Sequence, residues 1–82
     1  MTRLPRDVSG QELVTILMKI FEYRITRQTG SHIRLTTHVG GEHHVTVPNH
    51  ASLRLGTLSG IVSDVAIHLK ISKNELVTRL FG

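Results

Sequence analysis

Leu13, Ile16, Leu17, Ile20 and Phe21 recur at i, i+3, i+4, i+7 and i+8, the spacing that gathers apolar side chains into one stripe along a helix. Just ahead of them, Ser9-Gly10-Gln11-Glu12 has the form of a capping box, with Ser9 accepting from the Glu12 backbone while Glu12 reaches back. Together these signals predict a first helix over 9–21. The period then falls to two. Tyr23, Ile25 and Arg27 alternate with Arg24, Thr26 and Gln28 in a β-branched and aromatic run, which predicts a strand with Tyr23, Ile25 and Arg27 on its inward parity.

Thr29-Gly30 makes a tight connection to a second strand over 31–37, and Val39-Gly40-Gly41 makes the next turn. A third strand is predicted over 42–47, with Val45 and Val47 inward and His44 and Thr46 outward. Pro48 has no ladder donor and ends it. A loop over 48–56 leads to a second helix, where Leu58, Ile61, Val62, Val65 and Leu69 form another stripe and Thr57 is the expected cap. Ser72-Lys73-Asn74-Glu75 is a second capping box, opening a last short helix with Leu76, Val77 and Leu80 inward. The order is α-β-β-β-α-α, so the expected architecture is an α+β domain: one three-stranded antiparallel sheet with helices on one face. Residues 1–82 read as a single domain with no repeat or linker.

Composition narrows the class. Hydrophobic content of 39% and charged content of 20% suit a soluble globular chain. There are no cysteines, which excludes disulfide staples and thiolate metal sites. No segment approaches the roughly 18 apolar residues of a membrane span, and a cytoplasmic protein is the expectation. The net charge of +4 is uneven: residues 24–54 hold Arg24, Arg27, Arg34 and Arg54 against Glu42 alone, with five of the six histidines. A polyanion would be drawn to the middle of the chain.

The chemistry concentrates at Gly30-Ser31-His32. Ile33 and Leu35 share one face of the second strand, so His32, Arg34 and Thr36 share the other. An imidazole beside a guanidinium suits a phosphodiester, since histidine exchanges protons near neutrality and arginine holds phosphate oxygens. Ser31 points away from His32 and is not read as a nucleophile. His38, His43, His44 and His50 raise a metal reading, but neighbours such as His43 and His44 cannot face one way in a strand, so no metal site and no cofactor are expected. The expected role of His43 and His44 is to decorate a strand and its turn, and that of His68 is a surface position near a helix end. Arg3 and Arg6 form a basic arm that can graze a polyanion.

The chain resembles the HicA family, small RNA-cleaving toxins of prokaryotic toxin–antitoxin pairs. The matching pieces are Leu13 to Phe21 before Tyr23, Gly30-Ser31-His32, Val45-Thr46-Val47-Pro48 with His50, and Gly56-Thr57-Leu58 with Ile61. The resemblance spans roughly residues 4–81 and implies a fold similar to double-stranded-RNA-binding domains and an mRNA endonuclease activity, which with no metal site expected would be metal-independent. The family's essential histidine falls on His32, and a HicB-family antitoxin would cover it. Arg34, Arg27, Arg24 and His50 are the residues expected to bind RNA, with His50 also a candidate for the second proton transfer. The chain departs from the family pattern at Glu22, where glycine is common, and is less basic than usual at Ala51-Ser52 and Ser59-Gly60. The rival readings are a module that holds structured RNA without cutting it, and a scaffold that recruits a protein through its sheet edge.

Overall fold

The computed structural model describes residues 3–82, which run α1 Gly10–Phe21, β1 Arg24–Thr29, β2 His32–Thr37, β3 His43–Pro48, α2 Leu55–Leu69 and α3 Lys73–Phe81. The strands form one antiparallel sheet in the order β1-β2-β3. This is the α+β arrangement expected from the hydrophobic pattern. No helix among the described residues is long and apolar enough to cross a membrane.

The capping box of α1 forms in both directions. Ser9 Oγ accepts from the Glu12 N–H at 3.0 Å, and the Glu12 carboxylate accepts from the Ser9 N–H at 3.2 Å. The buried stripe is Leu13, Val14, Leu17 and Phe21. It is rotated from the expected one: Val14 faces the core, Ile16 is half-buried and Ile20 is exposed. The start of the helix is pinned against the end of β3. The Gly10 N–H donates to the His50 carbonyl at 2.9 Å, and a Cβ on Gly10 would collide with the Pro48 carbonyl oxygen. Only glycine lets α1 begin this close to the end of β3.

Two further predictions need correction. Thr57 lies inside α2 and caps nothing: the helix begins at Leu55 with Arg54 as its N-cap and no side-chain cap bond. Arg54, Leu55 and Gly56 are exposed, so water can satisfy the free N–H groups of this turn. Ser72 does cap α3, accepting from the Glu75 N–H at 3.0 Å. The second correction concerns β1, all six residues of which are exposed. The helical layer meets the sheet chiefly at β3, so the inward parity of β1 is only partly covered and Ile25 stays 47% exposed.

The core lies between the helices and the inner faces of β2 and β3. Tyr23, Leu13, Leu17, Ile33, Leu35, Val47, Leu58, Val62 and Leu76 are all but sealed from solvent. Thr37 joins them, its hydroxyl donating to the Phe21 carbonyl at 2.7 Å and accepting from the Val39 N–H at 3.1 Å. One buried side chain thus ties the end of α1 to the end of β2. Glu22 closes α1 in the left-handed conformation, φ 57° and ψ 32°, which costs a residue with a Cβ about 1 kcal/mol relative to glycine.

Candidate functional site

Residues paired across antiparallel strands share a face of the sheet. His32 pairs with Pro48 and Thr29, Arg34 with Thr46, and Thr36 with His44 and Arg24. All of these therefore stand on the face that the helices leave open. Between Ile25 and Arg27 the β1 register shifts, Ile25 pairing with Leu35 and Arg27 with Arg34. Thr26 is the extra residue of a β-bulge, and the bulge resets the alternation of everything after it. Arg27, on the inward parity in the sequence, is thereby turned to the open face. This overturns the expected parity and gathers Arg24, Arg27 and Arg34 with His32 on one surface.

His32 opens β2 beside Gly30, whose φ of 56° makes the connection from β1. Its ring is exposed, and among the described residues it has no hydrogen-bond or ionic partner. Arg34 stands one outward position along β2, with Arg27 directly across; both are exposed and neither has an acidic partner among the described residues. His50 lies two residues beyond Pro48. Its loop is drawn alongside β2 because the Asn49 N–H donates to the Ser31 carbonyl at 2.6 Å, and its side chain is exposed. The backbone thus returns beside His32, with no bond between the two imidazoles. Arg3 and Arg6 are exposed in the segment before α1.

The other histidines have structural partners. His44 Nε2 lies 3.0 Å from Glu42, its Nδ1 lies 2.7 Å from the Thr36 hydroxyl, and Thr36 lies 3.0 Å from the Thr26 hydroxyl. With Nε2 donating to the carboxylate, Nδ1 accepts from Thr36 and Thr36 accepts from Thr26. The bulge residue is thereby locked to β3 through a hydroxyl–imidazole–carboxylate chain. On the opposite face, His43 Nδ1 lies 2.8 Å from the Tyr23 hydroxyl and its Nε2 lies 3.2 Å from Asp64. Burial, reinforced by Asp64, pushes the Tyr23 phenol up to about 12. The His68 ring stacks on His43 at 4.4 Å and 10°, and its Nε2 donates to the Val39 carbonyl at 2.9 Å. His43 and His68 are thus structural posts, not decoration or free surface. Among the described residues no three His, Asp or Glu side chains gather as a metal site.

Pattern reading also missed a pocket at the far end of the open face, lined by Glu22, Arg24, Thr26, Thr36, His38 and Val39. Its members come from the end of α1, the start of β1, the end of β2 and the following turn. Only the outward parity of Thr36 and Arg24 hinted at it.

A family model described as the HicA toxin of bacterial toxin–antitoxin systems matches residues 10–70 of the 82-residue chain. The match runs from the first residue of α1 to the C-cap of α2. No curated protein and no solved structure matches the chain.

Proposed function

The chain belongs to the HicA family of bacterial toxins, and from that premise we propose that it is an endoribonuclease that cuts mRNA on the open face of its sheet, with His32 as the catalytic residue. The observation that carries this reading is the placement of an exposed imidazole, without a hydrogen-bond partner among the described residues, on the same face as Arg34 and Arg27. Cleavage of an RNA phosphodiester by its own 2′-oxygen needs a base for the 2′-hydroxyl proton, an acid for the departing 5′-oxygen, and positive charge where the phosphorane accumulates negative charge. His32 supplies one of the proton transfers. Arg34 and Arg27 hold the non-bridging oxygens, since guanidinium donors stabilise charge that grows in the transition state. Arg24 and His50 extend the RNA-binding surface to either end of the strand. The chemistry requires no metal and no cofactor.

The protein acts in the cytoplasm, where mRNA is translated, and its cutting halts translation and growth. A HicB-family antitoxin neutralises it by covering His32. The deciding experiment incubates the purified protein with a long mRNA, with and without EDTA, beside His32→Ala. Cleavage that persists in EDTA and vanishes in the variant is the expected result. Equal cutting by both proteins would remove His32 from the centre. A gel shift without cutting by either would make the chain a structured-RNA-binding module acting through phosphate and 2′-hydroxyl contacts.

A further inference from the structure

Glu22 is in the wrong place for stability on two counts. It holds a left-handed backbone conformation, φ 57°, that glycine adopts freely. It also sets a carboxylate at the C-terminal end of α1, where the helix dipole favours a cation. Lys70 ends α2 with the same backbone conformation, φ 59°, but its positive charge suits that end of a helix. The acid at Glu22 therefore has no structural explanation, and its surroundings offer a functional one.

Glu22 lines the pocket with Arg24, Thr26, Thr36, His38 and Val39. Glu22 and Arg24 are two residues apart and oppositely charged, yet they do not pair with each other, and among the described residues neither has another ionic partner. The lining thus includes both an acceptor, the Glu22 carboxylate, and a planar donor fork, the Arg24 guanidinium. Val39 adds an apolar contact. The floor is held in place because Thr26 and Thr36 are locked to each other and to His44 and Glu42. Thr36 lies four residues along β2 from His32, roughly 13 Å at the rise of an extended strand. Arg34 stands midway on the same face.

We propose that this pocket reads a guanine of the single-stranded RNA laid along β2, one subsite removed from the bond at His32. This deepens the reading of the open face as an RNA surface and rests on it. Guanine presents N1–H and the N2 amino group side by side, which a carboxylate accepts as a pair. Its O6 and N7 accept the two parallel N–H bonds of a guanidinium. Adenine sets an acceptor at N1 against the carboxylate, and uracil offers one imide N–H in place of the pair. Unstacked bases in single strands expose these edges and so can be read in such a pocket.

The test measures binding of short single-stranded RNAs by fluorescence anisotropy, using the full chain carrying His32→Ala so that nothing is cut. One position is varied through guanine, inosine, adenine, cytosine and uracil. Guanine should bind on the order of tenfold more tightly than adenine or the pyrimidines, with inosine, which lacks the amino group, in between. Adding Glu22→Gln keeps the backbone strain and side-chain size and should erase the preference. Glu22→Gly should erase it too while raising Tm by roughly 4–8 °C through relief at the helix end. That rise shows the loss of preference is not loss of fold. RNA bound without base preference, a preference that survives Glu22→Gln, or selection of cytosine would overturn the guanine reading and leave the RNA surface standing. Absence of any RNA binding at low salt would remove both.

Discussion

Arg27 and Arg34 stand directly opposite each other on β1 and β2, two cations side by side on the open face of the sheet. Like charges in directly paired positions are mutually destabilising, and no acid among the described residues relieves them. A phosphate placed across the pair would relieve both.

The first expectation concerns that pair. Arg27→Ala and Arg34→Ala should each leave folding stability within about 0.5 kcal/mol of the parent or slightly above it, because each removes a repulsion at an exposed site. Each should also lower RNA affinity and flatten the slope of log K against log salt by about 1, the mark of one lost phosphate contact. An unchanged slope in Arg34→Ala would take that residue out of phosphate binding.

Tyr23 is the only tyrosine in the chain, so ultraviolet absorbance follows its ionisation without overlap. The phenol should titrate near 12 in the folded protein rather than near its ordinary 10. The folded state then holds a proton that the unfolded state gives up. Stability present below pH 10 should therefore fall as the pH rises from 10 to about 12. Tyr23→Phe should remove this alkaline loss, while costing about 1 kcal/mol at neutral pH for the bond to His43. Ionisation near 10 in the folded protein would contradict the buried setting.

Gly10→Ala reverses the usual sign of a helix substitution. Alanine in an unobstructed helix is favoured over glycine by about 1 kcal/mol. Here its Cβ meets the Pro48 carbonyl oxygen and the Asn49 backbone, which lack the freedom of a side-chain end. A loss of about 1–3 kcal/mol in chemical denaturation is expected, the scale of an overpacked contact. The loop carrying His50 beside β2 should move with it, and RNA cleavage should drop. A stabilised Gly10→Ala would show that α1 and the end of β3 can part without cost.

Much of the fold was legible because its elements carry local signals. Ser9 and Glu12 announce a helix start, Leu13 and Leu17 its buried face, and Pro48 the end of a strand. The outward face of His32, Arg34 and Thr36 followed from alternation with Ile33 and Leu35. Three things were not legible, each because its cause is tertiary. Thr26 marks a bulge that no glycine or proline signals, so simple alternation puts Arg27 on the wrong side. Ile25 has the pattern of a buried residue and is exposed because the helices meet the sheet chiefly at β3. His43 and His68 lie 25 positions apart in sequence, and only the docking of α2 on β3 brings their rings together. Glu22 did stand out as a departure from the usual glycine, but the pocket it borders exists only once α1, β1 and β2 are assembled.

β1 is joined to the sheet along a single edge, and among the described residues its main contacts are with β2. Local opening of such an element exposes little new apolar surface, so it belongs to the low-energy end of the native ensemble. Amide hydrogens of β1 should exchange ahead of those in the central strand β2, except near Thr26, whose hydroxyl is tied to Thr36. Arg24 and Arg27 belong to that outer strand, while His32 and Arg34 belong to the central one. A polyanion that engages all four would hold β1 closed against β2. Part of its affinity is therefore spent on ordering the protein, and whatever stiffens β1 from a distance tunes the grip without touching the chemistry.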